Sequence, residues 1–101
     1  MSFTKAEGGV YLESTRGGAV QAVLAGNAVQ VDEPLGQVTL DHGSGMRTVY
    51  RDLGEIIVRQ GDQVALGQIL GRVGHSERLF FALSLANRLV DPTTRVRSSP
   101  R

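Results

Sequence analysis

Short alternating apolar segments, regularly spaced glycines and a scarcity of aromatic residues predict an all-β protein, an antiparallel sheet folded into a sandwich-like domain. Of 101 residues, 13 are Gly and only 5% are aromatic, a balance that suits tight turns better than helices. The clearest stretch is residues 37–74. There Val38, Leu40 and Val49 alternate about the turn His42-Gly43-Ser44-Gly45, and glycines recur at Gly54, Gly61, Gly67, Gly71 and Gly74. This pattern reads as a β-hairpin followed by a compact meander. A chain of this length forms one domain and buries about 60–70% of the surface its unfolded form exposes, enough for a single thin core.

Taken in order, residues 1–7 are polar and read as a flexible lead-in, 8–92 as the domain, and 93–101 as a flexible basic tail. Residues 9–13 (GVYLE) suit a strand, and 14–18 (STRGG) a turn. Within 19–31, Val20, Ala22 and Leu24 fall on one face of an extended chain. Gly26-Asn27 breaks that chain, and Val29 and Val31 resume it, so two strands are expected. Pro34 marks the turn at 32–36. Residues 38–40 and 47–50 then pair across 42–45, and 56–58 follows as a strand. At 59–62, Gly61 supplies positive φ and Asp62 bonds local backbone. Residues 63–66 lead into a turn at Gly67-Gln68, and 69–73 is the next strand. The most apolar run, 79–85 (LFFALSL), is expected as the central strand, with a turn at Ala86-Asn87, a return over 88–90, and a stop at Asp91-Pro92.

Eleven Lys plus Arg against ten Asp plus Glu leave a net charge of +1, too little to build a phosphate-binding field, so nucleic acid is not an expected partner. Cysteine is absent, which excludes disulfides, thiolate metal sites and a cysteine nucleophile. No apolar run approaches the ~20 residues that span a bilayer, and the first five residues do not open a signal peptide. The expectation is an excised soluble domain of the periplasm or extracytoplasmic envelope, with a cytoplasmic protein as the alternative.

The order of motifs carries a family resemblance. Asp41-His42-Gly43-x-Gly45, then Thr48-Val49-Tyr50, Leu53, and Val58-x-x-Gly61-Asp62-x-Val64-x-x-Gly67-Gln68-Ile69-Leu70-Gly71 resemble the LytM, or lysostaphin-type, zinc endopeptidase domain. The resemblance spans about residues 8–92 and is strongest over 38–73. It implies an all-β, duplicated-hybrid-motif fold and an ancestral activity of cutting peptide cross-links in bacterial cell walls. It also locates what is missing. Where the family has His-x-Gly-x-Asp with two zinc ligands, this chain has Glu7-Gly8-Gly9-Val10-Tyr11. Where it has Tyr-x-His-Leu, this chain has Tyr50-Arg51-Asp52-Leu53. The His-Leu-His-Phe-Glu motif, with a catalytic His and the third ligand, falls on Arg78-Leu79-Phe80-Phe81-Ala82. The loop before that motif is also shortened, to Gly74-His75-Ser76-Glu77.

A catalytic zinc needs three protein ligands and an open position for water, and the chain holds only two histidines, His42 and His75. The expectation is therefore no catalytic residues, no metal and no cofactor. His42 matches a family position that is histidine without binding zinc and reads as a structural turn residue, while His75 reads as an exposed loop residue. Gly67-Gln68-Ile69-Leu70-Gly71 lacks the Lys-Ser/Thr of a phosphate loop, and no nucleophile stands in a hydrolytic context. Replacing a ligand His and Asp by Phe80 and Tyr11 makes a groove floor suited to receive a partner's side chains. The expected binding groove is Tyr11, His42, Tyr50, Asp52, Arg78 and Phe80. The function expected is a non-catalytic module binding a protein of the cell envelope, such as a cell-wall amidase or an assembly component, or peptidoglycan itself. Open sheet edges leave room for self-association. The alternatives are a residual zinc metallopeptidase and a lipoyl-like barrel-sandwich module, the latter disfavoured because Lys5 is the sole lysine.

Overall fold

The computed structural model describes residues 3–6, 9–85 and 88–90, with side-chain surroundings for 9–85. Every described pairing is antiparallel, and no helix occurs among the described residues. The strands are β1 (Phe3–Ala6), β2 (Gly9–Glu13), β3 (Ala19–Gln21), β4 (Gly26–Asp32), β5 (Gln37–Gly43), β6 (Met46–Arg51), β7 (Leu53–Ile56), β8 (Gln63–Val64), β9 (Ile69–Val73), β10 (Arg78–Leu85) and β11 (Arg88–Val90). The larger sheet runs β1-β2-β10-β6-β5-β4-β8, with β11 also on β10, and the smaller one β3-β9-β7. Between the two sheets lies one core. Val38, Leu40 and Tyr50 from the large sheet meet Val20, Leu53, Leu70 and Val73 from the small one, with Leu79 and Phe81 packed alongside.

The hairpin is tighter than its sequence suggests. Ser44 and Gly45 both have positive φ (54° and 81°), which is the two-residue turn whose twist matches paired strands, so β5 and β6 extend to Gly43 and Met46. Two further turns follow one recipe. The Arg59 N–H donates to Asp62 Oδ2 (2.9 Å) and the Asp62 N–H to the Arg59 carbonyl (3.0 Å). The Ala65 N–H likewise donates to Gln68 Oε1 (3.0 Å) and the Gln68 N–H to the Ala65 carbonyl (3.0 Å). In each, a glycine at positive φ sits third, Gly61 or Gly67.

Several expectations shift. Residues 3–6, expected in a polar lead-in, form β1 because the free edge of β2 offers backbone donors and acceptors whatever the side chains are. The break in 19–31 falls at residues 22–25, not at Gly26-Asn27, which opens β4. A bulge between Ala28 and Gln30 then makes Val29 the extra residue, so Ala28 and Val31 face the core instead of Val29 and Val31 together. Leu24 is exposed because β3 has already ended. The strand expected at 56–58 is β7, three residues earlier. Strand β10 is interior, bonded to β6 on one edge and to β2 and β11 on the other. The turn expected at Ala86-Asn87, the stop at Asp91-Pro92 and the tail 93–101 lie outside the described residues.

A polar circuit closes one end of the core. Tyr50 is only 1% exposed, and its Oη accepts the Val23 N–H (3.1 Å) and lies 3.1 Å from Thr48 Oγ1. Thr48 Oγ1 is 2.7 Å from His42 Nε2, and His42 Nδ1 is 2.8 Å from the Ala25 carbonyl. Thr48 O–H donates to Tyr50 Oη, and His42 bridges Thr48 and the Ala25 carbonyl through its two ring nitrogens. The circuit pins the 22–25 crossover onto the hairpin. Burial pushes the Tyr50 phenol above its ordinary range, against the smaller opposing effects of its hydrogen bonds to Thr48 and Val23.

Two outcomes follow. A Cβ at Gly71 would lie 2.1 Å from the Glu55 carbonyl oxygen, a backbone atom, so Gly71→Ala should cost about 3 kcal/mol or more in urea unfolding. Tyr50→Phe should cost about 1–2 kcal/mol by stranding the Val23 N–H. Because the folded phenol holds its proton more tightly than the unfolded one, its contribution is intact below pH ~10 and is lost as pH rises beyond that. Stability measured against pH should therefore fall less steeply above pH ~10 in Tyr50→Phe than in the parent.

Candidate functional site

The period of two along β10 sends Leu79 and Phe81 toward the core and Arg78, Phe80 and Ala82 to the opposite, outer face of the large sheet. Register then fixes their neighbours. Phe80 is the Cα partner of Tyr11 on β2 and of Arg51 on β6. The Tyr11 and Phe80 rings meet edge to face, with centroids 5.3 Å apart at 64°. The Arg51 Cζ lies over the Phe80 ring at 4.3 Å, and the Arg78 Cζ over the Tyr11 ring at 4.6 Å. Gly9 makes room for this group: a Cβ there would come within 2.8 Å of the Phe80 ring and 2.4 Å of the Phe81 carbonyl oxygen. Phe80 is thus nearly sealed, at 6% exposure, although it sits on the outer face.

Next to the aromatic pair the outer face becomes small and smooth. Ala82 pairs with Val49, which pairs with Thr39, and both Ala82 and Thr39 are buried. Farther along, Arg47 and Asp41 form an ion pair at 3.3 Å. The Asp41 carboxylate also accepts the Gly43 N–H at 2.8 Å, and that bond, then Arg47, holds its pKa below the ordinary value.

The structure divides the six residues expected to line a groove. Tyr11, Arg78 and Phe80 are gathered on the outer face. Tyr50 and His42 are on the core side, in the circuit that holds the 22–25 crossover. Adjacent strand residues point to opposite faces, so Tyr50 and Arg51 cannot share one, and it is Arg51 that joins the aromatic pair. Asp52 is a backbone corner between β6 and β7, with φ +74° and its carbonyl accepting the Gly74 N–H at 3.2 Å. The sequence reading passed over Arg51, yet the core-facing Tyr50 beside it was the available signal. Glu7 lies outside the described residues. His75 sits at the surface, its Nδ1 2.8 Å from Arg16 Nη1.

The resemblance places a zinc ligand at each of the positions that Tyr11 and Phe80 occupy. The groups there do not fit a zinc ion. A phenol, a phenyl ring and two guanidinium cations offer no set of imidazole or carboxylate donors, and the cations repel a metal. Among the described residues no three His, Cys, Asp or Glu side chains come together as a metal site. The arrangement stacks two guanidinium groups over two aromatic rings.

Comparisons with known proteins agree with this architecture. Residues 5–92 match the family model described as Peptidase family M23. Stage II sporulation protein Q of Bacillus subtilis (strain 168) is 41% identical over 58 residues, covering 54% of this chain and 20% of that protein. A crystal structure of an M23 peptidase from Pseudomonas aeruginosa superposes with a TM-score of 0.82 at 26% identity, covering 90% of this chain and 44% of its own. The SpoIIIAH and SpoIIQ complex contains a chain that superposes with a TM-score of 0.70 at 27% identity, covering 74% of this chain and 59% of that one. This chain thus spans about a fifth of the curated relative and under half of the Pseudomonas chain. The family match covers residues 5–92 and so runs through both sheets: the chain belongs to peptidase family M23.

Proposed function

We propose that this domain is a non-catalytic M23 module that binds a protein partner in the bacterial cell envelope, on its extracytoplasmic side, in a regulatory or structural role. The observation that carries this reading is the Tyr11–Phe80 pair under Arg51 and Arg78, a cationic, aromatic surface at the place where the family resemblance puts the metal. Turnover by the family's route requires a metal-polarised carbonyl and a metal-activated water, and these side chains supply neither.

A protein partner is favoured over a glycan by two considerations. A relative 41% identical over 58 residues, stage II sporulation protein Q, is SpoIIQ, which has been solved in complex with SpoIIIAH, one such complex being described as pore forming. The Phe80 ring, moreover, is covered by Arg51 and so presents no open aromatic face for a sugar to stack on. No described helix is long and apolar enough to cross a membrane, so in this reading envelope placement comes from the family likeness.

The reading is tested by metal and by turnover together. Purified protein equilibrated with zinc and dialysed should retain well under one equivalent by mass-spectrometric metal analysis, and should leave peptidoglycan cross-bridge peptides intact in the presence of zinc. Stoichiometric zinc that survives dialysis, or metal-dependent cleavage, would overturn it.

A further inference from the structure

We propose that the cleft between the 14–18 turn, the end of β9 and the 74–77 turn is a phosphate-binding site formed by Arg16, Arg72 and His75. None of the three belongs to the Tyr11–Phe80 group, so the inference goes beyond the partner reading above and does not rest on it.

Backbone bonds build the cleft. The Gly17 N–H donates to the Val73 carbonyl (2.8 Å) and the Val73 N–H to the Gly18 carbonyl (2.9 Å), which fixes the 14–18 turn against β9. The Gly74 N–H donates to the Asp52 carbonyl (3.2 Å) and the Glu77 N–H to the Gly74 carbonyl (3.1 Å), which fixes the 74–77 turn against the start of β7. Glycine keeps the floor bare. Gly17 has φ +82°, a Cβ on Gly54 would lie 2.8 Å from Gly74 Cα, and both Gly17 and Gly54 are exposed. Arg16, Arg72 and His75, all exposed, line the cleft from three separate segments, and Glu55 is the carboxylate among the described residues that line it.

The contact between Arg16 and His75 points to an anion. Arg16 Nη1 lies 2.8 Å from His75 Nδ1, and a guanidinium only donates, so Nδ1 is the acceptor and the imidazole proton is on Nε2. Arg16 is thereby bonded to a group that brings it no negative charge, and it is in neither of the ion pairs Arg47–Asp41 and Arg72–Glu55. Glu55 balances Arg72, at 3.7 Å, and the charge of Arg16 is left in surplus. The His75 Nε2–H is a further donor beside it.

What the donors have left selects the kind of anion. Arg72 has Nη1 on the Gly17 carbonyl (3.1 Å) and Nε 3.7 Å from Glu55 Oε1, so neither of its two-nitrogen edges is whole and it contributes single bonds. Single donors from three segments suit a tetrahedral phosphate, which has oxygens on several sides, better than a planar carboxylate, which one intact guanidinium edge satisfies. The same phosphate chemistry is offered by a free ion or monoester and by the diester of a lipid headgroup or an anionic polymer.

The test uses the full chain, isotopically labelled, titrated near neutral pH and at constant ionic strength with inorganic phosphate and, in parallel, with dimethyl phosphate and with acetate. Phosphate should shift the His75 ring signals, the Nε–H signals of Arg16 and Arg72 and the amides of Gly17 and Gly54, with half-saturation at about 1–10 mM, and acetate should not. Binding should weaken about fivefold or more in Arg16→Gln and in His75→Ala, and as salt is raised. Arg59→Gln, which removes the same charge from an exposed arginine of the 59–62 turn, should bind as the parent does. Unchanged amide dispersion in the variants shows that the fold persists. Dimethyl phosphate binding as well as phosphate supports the site and assigns it to diesters; phosphate binding alone supports it and assigns it to the free ion or monoesters. No shift up to about 50 mM phosphate, equal shifts with acetate, or equal weakening in Arg59→Gln overturns the inference. Zinc retention or cleavage in the separate assays would remove the non-catalytic reading and leave this one standing.

Discussion

Strand β10 is bonded along both edges, to β6 on one side and to β2 and then β11 on the other, and the two faces of the large sheet depend on that register. Leu79 and Phe81 enter the core only because Arg78, Phe80 and Ala82 are turned away from it. A slip of one residue would put a guanidinium between the sheets and an aromatic ring into water, costing several kcal/mol in each direction. Ladder bonds on both sides and the Tyr50–Phe81 edge contact at 5.4 Å hold β10 against that slip. The outer surface is therefore as firmly specified as the core.

That coupling explains how a hydrolase framework can change its chemistry without losing its shape. The core-facing residues of β2, β6 and β10 join the two sheets, and on the outer face Phe80 and Ala82 are themselves buried. Metal ligands there can be exchanged for other groups so long as the strands still pair. Here the exchange is self-consistent: two aromatic rings meet edge to face, two arginines cover them, and Gly9 stays small so that Phe80 can lie down. The outcome is a surface with fixed charges in fixed places, which suits recognition.

Much of this was readable in advance because it depends on local chemistry. The turn at 59–62 follows from a glycine able to take positive φ and an Asp able to bond the backbone three residues earlier, and the turn at 65–68 repeats the device with Gln68. Strand β9 falls on residues 69–73 as expected, because its apolar run is bounded by turn residues at both ends. The readings that shifted depended on neighbours distant in sequence. The bulge at Val29 exists because β4 must match β5 on one side and the short β8 on the other. β1 exists because β2 had an edge to offer.

By itself, then, the sequence determined the class of the fold, the positions of most turns and the loss of the family's zinc donors, since each of these is a property of residue type and spacing along the chain. Only the tertiary structure decided which residues make the site. Tyr50 and Arg51 are neighbours in the chain, yet one is in the core and the other over Phe80, because strand parity separates adjacent side chains while register joins residues thirty to seventy positions apart. Motif spacing locates residues along the chain and says nothing of the face to which each is turned; that is set when strands pair and one side of the sheet is buried.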